Sequence, residues 1–432
     1  MRRYAPARAL AFALGALALA ASGAGCGGGS EETDKAAAAK GPIEIWYSNN
    51  AEELAWGKAL VAKWNAAHPK ETVAGQEIPS GKTSEEVIGA SITAGNAPCL
   101  IFNTSPAAVP QFQKQGGLVA LDSLPGGAAY VEERSGDLAG QYKSEDGKYY
   151  QLPWKSNPVM IIYNRKLLKK AGVDSQNPPL ATYDQFLATS RKVVSSQAAD
   201  AAIWPSPESQ FFQSWFDFYP LFIAESGKPL VEDGKAQFNG PEGQAVAGFW
   251  RTMYAEKLTP NEAFKGDAFG EQKAAMSIVG PWAIAVYGKD IDWGVAPVPT
   301  SSGKPAEEIK TFSDEKSAAM YSACKNRGTA WELLKFATSK EQDGALLEMT
   351  GQMPMRADLL GTFPDYFSSH ADYKPFAEQA ERTVEVPNVS NSIAIWQALR
   401  DGYSRSVIFG KEDPKAALAT AAKKAEELAA KR

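Results

Sequence analysis

Apolar and polar positions near the start of the folded chain follow first a two-residue period and then a helical one. Residues 43–47 alternate as in a half-buried strand, and apolar residues then recur at the spacing of a helix. These helical positions are Leu54, Trp56, Leu60, Val61 and Trp64. Asn50 stands between the two segments, where a helix N-cap is expected. A strand, a polar turn and a helix are the opening unit of an open α/β sheet, whose ligands bind beyond the carboxyl ends of the strands.

The same succession of short strands and longer helices continues along the chain. Further strands are predicted at residues 99–102, 159–163, 274–279 and 293–299. Thr182 and Gln185 have the spacing of a capping box, and Asp413 precedes Pro414 at the start of an alanine-rich helix that runs to Arg432. The pattern therefore favours an α/β protein.

Basic and apolar residues at the amino terminus have the order of a secretory signal peptide. Arg2, Arg3 and Arg8 precede an apolar run at residues 9–21, which ends in small residues. The run is shorter than the roughly 20 residues that span a bilayer. Residues 1–25 are therefore predicted to be a signal peptide, and the mature protein is expected to be exported.

Cys26 follows these small residues directly. Residues 23–26 resemble the lipobox of bacterial lipoproteins, which implies that Cys26 carries lipid, palmitate included, and anchors the protein to the outer face of the cell membrane. Gly23 stands where most lipoboxes have a branched residue, so an ordinary cleavage site followed by a free thiol is the alternative. Residues 26–40 combine glycines, mixed charges and four alanines, which predicts a flexible tether.

Charge and composition exclude several classes of ligand. The net charge is −5, with 50 acidic and 45 basic residues mixed along the chain, which predicts no basic face for nucleic acid. The two histidines, His68 and His370, lack the spacing of metal ligands. The Gly-Lys-Thr at residues 81–83 lacks the earlier glycine of a phosphate-binding loop. We therefore expect no metal, no cofactor and no nucleic acid.

Aromatic residues are the informative class, with 11 Trp, 15 Tyr and 19 Phe. An aromatic plane covers the apolar face of a sugar, while amides, carboxylates and arginine bind its hydroxyls. Tryptophans at or near predicted element ends are Trp46, Trp154, Trp215, Trp282 and Trp396. Core packing is the alternative for each of them. The 50 acidic residues also leave open the carboxylate pair of a glycosidase.

Six segments, in this order, resemble the sugar-binding extracellular solute-binding proteins of ABC importers. They are residues 94–98, 116–122, 152–154, 162–168, 273–282 and 292–297. The resemblance implies a type II periplasmic-binding-protein fold, in which two α/β lobes of open sheets flanked by helices are joined by crossing hinge segments. It places residues 41–152 and 291–327 in lobe one, and residues 153–290 and 328–432 in lobe two.

The resemblance also implies where a ligand binds. Trp282 is similar to the family's main stacking tryptophan, and Trp396 with Arg400 matches a second aromatic and basic pair on a late helix. The other expected ligand contacts are Asn50, Asn103, Trp154, Asn157, Trp215 and Phe216. No catalytic residue is expected.

Two further cysteines, Cys99 and Cys324, are the thiols that remain once Cys26 carries lipid. An exported chain meets an oxidising environment. By the resemblance, both residues map to neighbouring strands of lobe one, so we expect a disulfide between them. Two buried free thiols are the alternative.

The resemblance implies a monomeric protein that is not an enzyme. It captures a mono- or oligosaccharide in the cleft between its lobes and delivers the sugar to the membrane permease of an ABC importer. A secreted glycoside hydrolase, a binding protein for another small polar solute and a surface adhesion module are the alternatives.

Overall fold

The computed structural model describes residues 35–48, 51–80, 83–207, 216–288 and 290–431. Over these residues the chain forms two lobes, each built on a β-sheet flanked by helices, with crossing segments between them. The predicted type II fold class is thereby confirmed.

The described strands are short, as the sequence predicts. They are β1 (Ile43–Tyr47), β2 (Val73–Glu77), β3 (Leu100–Thr104), β4 (Leu152–Ser156), β5 (Met160–Asn164), β6 (Ala201–Ile203), β7 (Val231–Glu232), β8 (Lys235–Ala236), β9 (Ala274–Val279), β10 (Trp293–Ala296), β11 (Thr311–Phe312), β12 (Lys316–Met320), β13 (Met353–Pro354) and β14 (Thr383–Val384).

α-Helices hold more of the described residues than the strands do. They are α1 (Ala51–Ala67), α2 (Ser84–Ala94), α3 (Val109–Lys114), α4 (Gly127–Ser135), α5 (Arg165–Lys170), α6 (Tyr183–Ser195), α7 (Phe218–Ser226), α8 (Pro241–Ala255), α9 (Trp282–Tyr287), α10 (Arg327–Ala337), α11 (Lys340–Thr350), α12 (Leu359–Thr362), α13 (Pro364–Ser369), α14 (Lys374–Ala380), α15 (Ser392–Tyr403) and α16 (Pro414–Ala429). The capping box at Thr182 and the cap at Asp413 both form as predicted.

Lobe one contains a sheet whose described strands have the order β13, β4, β12, β3, β1, β2. Strand β1 pairs in parallel with β2 and β3, whereas β12 pairs antiparallel with β3 and β4. Strand β4 lies between β13 and β12, and all five of its residues are buried. Trp56, Phe102 and Trp154 pack together in the core of this lobe, with ring centroids 4.9 to 5.5 Å apart.

Lobe two contains a sheet whose described strands have the order β10, β5, β9, β6. Strand β5 pairs antiparallel with β9 and β10, and β6 pairs in parallel with β9. Aromatic contacts such as Tyr183 on Phe249, with ring centroids 4.7 Å apart, join the flanking helices α6 and α8. At its carboxyl end, β9 leads through Gly280 and Pro281 into Trp282.

The division of the chain between the lobes differs from the expected boundaries at two places. Strand β10, expected in lobe one, belongs to the second sheet, because Gly294 lies directly opposite Tyr163. A Cβ at Gly294 would lie 2.4 Å from the Tyr163 ring, so glycine permits this close pairing. Helices α10 and α11, expected in lobe two, bury Trp331, Leu334 and Leu346 in the core of lobe one. Lobe one therefore continues to β13.

The segments that cross between the lobes are bonded to one another. The Asn157 N–H donates to the Ser313 carbonyl at 2.8 Å, and the Val159 N–H donates to the Phe312 carbonyl at 3.0 Å. These bonds join the connection between β4 and β5 to the segment that runs from the end of β11 towards β12. A movement of one lobe against the other must therefore bend both connections together.

The end of the expected tether is bound to lobe one. The Gly328 N–H donates to the Ala39 carbonyl at 2.9 Å, and Lys40 pairs with Glu71 at 3.4 Å. A Cβ at Gly328 would lie 2.8 Å from the Ala39 oxygen, so the contact needs glycine there. Residues 35–40 thus belong to the folded body, although the composition of the segment predicts a flexible chain. In the described ranges, no helix is both long and apolar enough to cross a membrane.

Cys99 and Cys324 lie at adjacent strand ends of lobe one, as expected. Cys99 precedes β3 and Cys324 follows β12, and the two sulfurs are bonded with Cα atoms 4.4 Å apart. The Tyr321 N–H donates to the Cys99 carbonyl at 3.0 Å, which holds the two chain segments side by side.

For the mature protein, unfolded without reductant, we expect thiol titration to find neither Cys99 nor Cys324 reactive. After reduction both should react, because each is then a free thiol. A Cys26→Ala form serves as the sample, so that no other cysteine contributes. Two reactive thiols before reduction would contradict the bridge.

Candidate functional site

A cavity of about 350 Å³ lies between the lobes. Residues of lobe one, lobe two and the crossing segments all line it, which is the expected position of a ligand cleft. The lining residues are Ser84, Glu85, Asn103, Ser105, Pro106, Ala107, Phe216, Trp282, Phe312, Asp314, Glu315, Lys316, Glu385, Val386 and Trp396.

Lobe two supplies the aromatic wall of this cavity. Trp282 begins helix α9, remains partly exposed, and lies 5.9 Å from Phe216 between ring centroids. A Cβ at Gly280 would lie 1.9 Å from the Trp282 ring, so only glycine lets the indole fold back over the chain before it. The Gly-Pro sequence ahead of Trp282 therefore fixes an aromatic plane at the end of β9.

Trp396 lines the same wall but is only 1% exposed. Its ring packs edge-on against Tyr219, with centroids 4.6 Å apart, and lies 6.3 Å from Phe312. Trp396 thus supports the wall from helix α15, whereas Trp282 presents a face that a ligand can stack on.

Lobe one supplies a polar wall from the ends of two elements. Ser84 and Glu85 lie in the first turn of α2, where the Thr83 hydroxyl accepts the Glu86 N–H at 3.1 Å. Asn103 lies near the carboxyl end of β3 with a φ of 74°, a left-handed conformation that asparagine tolerates better than most residues. Strained backbone of this kind is frequent at ligand sites.

The crossing segments form the floor of the cavity and carry most of its charge. Asp314 and Lys316 form an ion pair at 2.7 Å. The Glu315 carboxyl accepts the Trp154 N–H at 3.1 Å and the Ser317 hydroxyl at 2.9 Å. Burial, reinforced by Glu385, holds the pKa of Glu315 well above its usual range. Burial likewise raises the pKa of Glu385 to about 8, although Lys316 opposes the shift.

The structure brings four of the expected ligand contacts together at the cavity. Asn103, Phe216, Trp282 and Trp396 all line it. Asn157 lies beside the floor, where its side-chain amide donates to the Asp314 carbonyl at 3.3 Å. Asn50, Trp215 and Cys26 lie outside the described residues.

Two expected contacts lie elsewhere. Trp154 is 0% exposed, because its strand β4 is covered on both sides and its ring stacks into the core of lobe one. The Arg400 Nη1 donates to both carboxylate oxygens of Asp217, at 2.9 and 2.7 Å. Its Nη2 donates to the Ser206 carbonyl at 2.9 Å. Arg400 therefore lies behind the aromatic wall, where groups of the protein bind its guanidinium.

The charged floor is the part of the site that the sequence interpretation missed. Asp314, Glu315 and Lys316 are consecutive charges between two apolar strands, a signal that could have marked a polar turn. Glu385 gives no such signal, because it meets the floor only through the fold, where its carboxylate accepts the Glu315 N–H at 3.0 Å. Among the described residues, no group of three or more His, Cys, Asp or Glu side chains is arranged to hold a metal ion.

Comparison with characterised sequences finds distant relatives that share most of their length with this chain. The diacetylchitobiose-binding protein DasA of Streptomyces coelicolor is 24% identical over 371 residues, covering 82% of this chain and 83% of the relative. The maltotriose-binding protein of Pyrococcus abyssi is 23% identical over 380 residues, covering 84% of this chain and 77% of the relative.

Solved structures share the fold, and a family model covers most of the chain. The GacH receptor of Streptomyces glaucescens aligns with a TM-score of 0.75 at 22% identity, over 91% of this chain and 99% of that one. The cyclic α-maltosyl-1,6-maltose-binding protein of Arthrobacter globiformis gives 0.75 at 19% identity, over 90% and 99%. The family model for bacterial extracellular solute-binding proteins matches residues 47–344. The chain belongs to the bacterial extracellular solute-binding proteins.

Proposed function

We propose that this protein is the sugar-capturing subunit of an ABC importer. The observation that carries the proposal is the interlobe cavity, which combines an aromatic wall at Trp282 with a polar wall at Asn103 and Glu85. A sugar ring has an apolar face and a rim of hydroxyls, so it needs both kinds of wall at once.

The relatives support an oligosaccharide as the ligand. Proteins named for binding diacetylchitobiose and maltotriose match this chain over more than four fifths of its length. A cavity of about 350 Å³ lies in the range of small-molecule sites. We therefore assign a short oligosaccharide or a single sugar to the cleft.

Capture and closure make up the mechanism. The ligand stacks on the wall of lobe two, and the lobes then close so that lobe one covers the hydroxyl rim. The paired crossing connections act as the hinge for this movement. The closed monomer then presents surfaces of both lobes to the membrane permease, and no bond of the sugar is made or broken.

A thermal melting screen over mono- and oligosaccharides tests the proposal. A sugar at 100 times its dissociation constant should stabilise the protein by about 2.7 kcal/mol, because it binds only the folded state. Incubation of each hit with the protein, followed by an assay for new reducing ends, separates binding from hydrolysis. A screen without any stabilising sugar, or hydrolysis of a hit, would contradict the proposal.

Anchoring through Cys26 is the second part of the proposal. It is supported by the position of Cys26 directly after the predicted signal peptide. It is also supported by the fact that the chain belongs to a family of extracellular proteins. We expect Cys26→Ala to release the protein from the membrane fraction into the medium, because no other anchor is expected. A mutant that still sediments with membranes as the parent does would show that Cys26 is not the anchor.

A further inference from the structure

A second, smaller cavity adjoins the interlobe cavity within lobe two. Its volume is about 220 Å³, and its lining includes Trp204, Asp217 and Ser277. Phe216 lines both cavities, and its ring centroid lies 5.9 Å from that of Trp282. A ligand stacked on Trp282 therefore has this second cavity, here called the side pocket, next to it beyond Phe216.

The side pocket lies at the carboxyl end of β6, alongside β9. The two strands pair in parallel as far as Ile203 opposite Met276. Pro205 follows in the chain and has no N–H to continue the ladder. Strand β9 runs on to Val279 and leads into Trp282. The side pocket and the Trp282 face thus lie along one edge of the sheet, the edge at which open α/β sheets bind their ligands.

Strand β9 opens one polar position to the side pocket. Ser277 is partly exposed, whereas the other five residues of β9 are buried. It follows Met276, the last partner of β6, and no described strand pairs with that side of β9 beyond this point. An unpaired strand edge presents backbone N–H and C=O groups, and a serine hydroxyl both donates and accepts. The side pocket therefore offers hydrogen-bonding partners for the hydroxyls of a sugar.

Trp204 gives the side pocket an aromatic face. Its indole N–H donates to the Glu262 carbonyl at 2.8 Å, and its ring packs edge-on against Phe264, with centroids 4.9 Å apart. Trp204 nevertheless remains partly exposed. Because the protein already binds the N–H, the part of the indole left for a ligand is the ring face. A ring held in this way loses little conformational entropy when a sugar stacks on it.

The charged group that lines the side pocket is paired within the protein. Asp217 is 1% exposed, and its two carboxylate oxygens accept hydrogen bonds from Arg400. The same arginine donates to the Ser206 carbonyl at 2.9 Å. Arg400 thus joins two segments that line the side pocket and neutralises the carboxylate between them. The lining therefore suits a neutral sugar unit.

We propose that the side pocket binds a second sugar unit, stacked on Trp204 beside the unit on Trp282, so that the cleft selects oligosaccharides over single sugars. The inference rests on the proposed function, because it specifies the length of the sugar that the cleft takes. It is carried by the continuity of the two cavities at Phe216, the held indole face of Trp204 and the open position at Ser277.

Three series of sugars provide the test. They are malto-oligosaccharides, cello-oligosaccharides and N-acetylglucosamine oligomers, each from the single sugar to the tetramer. Calorimetry measures the oligomers, and displacement of a bound oligomer measures single sugars that bind weakly. In a series that binds, we expect the best oligomer to bind at least about tenfold more tightly than the single sugar. Trp204→Ala should remove most of this advantage and leave the affinity for the single sugar little changed, because only the second unit meets Trp204.

Matched variants separate the side pocket from the rest of the cleft. Trp282→Ala should lower affinity at every length, because all the sugars place a unit on that face. Trp204→Phe should keep part of the oligomer advantage, because it retains a ring. Phe409 is 45% exposed and lies outside both cavities, so Phe409→Ala should change no affinity. Thermal melting without sugar shows that each variant is folded.

The outcomes distinguish this inference from the proposed function. Equal affinity for single sugars and oligomers in the parent would overturn the second subsite and leave sugar capture standing. An unchanged oligomer advantage in folded Trp204→Ala, or an equal loss at every length, would do the same. If no member of the three series binds, the inference fails, and the melting screen then decides whether sugar capture fails with it.

Discussion

Replacing Trp282 with alanine should weaken sugar binding by about 2 kcal/mol or more, the loss typical of removing a buried aromatic anchor. The indole is held over Gly280 at the end of β9, so it loses little conformational entropy when a sugar stacks on it. Trp282→Phe should give an intermediate loss, because the smaller ring covers less of the sugar face. Calorimetry with a sugar from the melting screen measures both effects.

Two further variants control for damage to the fold. Val286 lies on the same helix and is 66% exposed, so Val286→Ala should change neither affinity nor stability. Gly280→Ala keeps the indole but should lower affinity, because a Cβ there would displace the ring. If folded Trp282→Ala bound sugar as tightly as the parent, the aromatic wall would not be the stacking surface.

Arg400→Met should destabilise the protein by about 3 to 5 kcal/mol, the cost of leaving one partner of a buried ion pair unpaired. Arg400 and Asp217 are both at most 3% exposed in their side chains, so the substitution would leave Asp217 buried without its counter-ion. Removing both charges with Arg400→Met and Asp217→Asn should therefore cost less than the sum of the two single changes. Urea unfolding of the sugar-free protein measures the free energies.

An exposed ion pair between an arginine and a carboxylate provides the control. Arg191 binds Glu256 bidentately at 2.6 and 2.7 Å, but their side chains are 50% and 40% exposed. Arg191→Met should therefore cost no more than about 1 kcal/mol. If Arg400→Met instead kept its stability and lost sugar affinity, Arg400 would be a direct ligand contact, as the family resemblance implies.

The sequence was sufficient for those parts of the site that depend on local signals. The α/β alternation predicted the fold class, and the Gly-Pro sequence before Trp282 marked an abrupt strand end with an aromatic residue beside it. Asn103 was expected from the family resemblance, and it lies near the carboxyl end of β3. In each case the residues that decide the geometry lie within a few positions of one another.

Other parts depend on partners far away in the chain, which a single sequence does not reveal. Trp154 looks like a residue beside a turn, yet it is buried because the rings of Trp56 and Phe102 pack on it. Arg400 looks available for a ligand, yet Asp217 binds it from another segment. The lobe that β10 joins depends on the close approach of Gly294 to Tyr163. Each of these features depends on a contact between residues far apart in the chain, and only the complete fold brings those residues together.

The strand order of lobe one also determines the sequence of events as the chain folds. Strand β12 lies between β3 and β4, but it follows both of them, and every strand of the second sheet, in the chain. A polypeptide that emerges amino terminus first can therefore complete the sheet of lobe two while β3 and β4 still have unpaired edges. Unpaired strand edges are sites of aggregation. The nascent protein is thus most vulnerable between the emergence of β4 and that of β12, and of the two sheets, the one that begins the chain is the last to be completed.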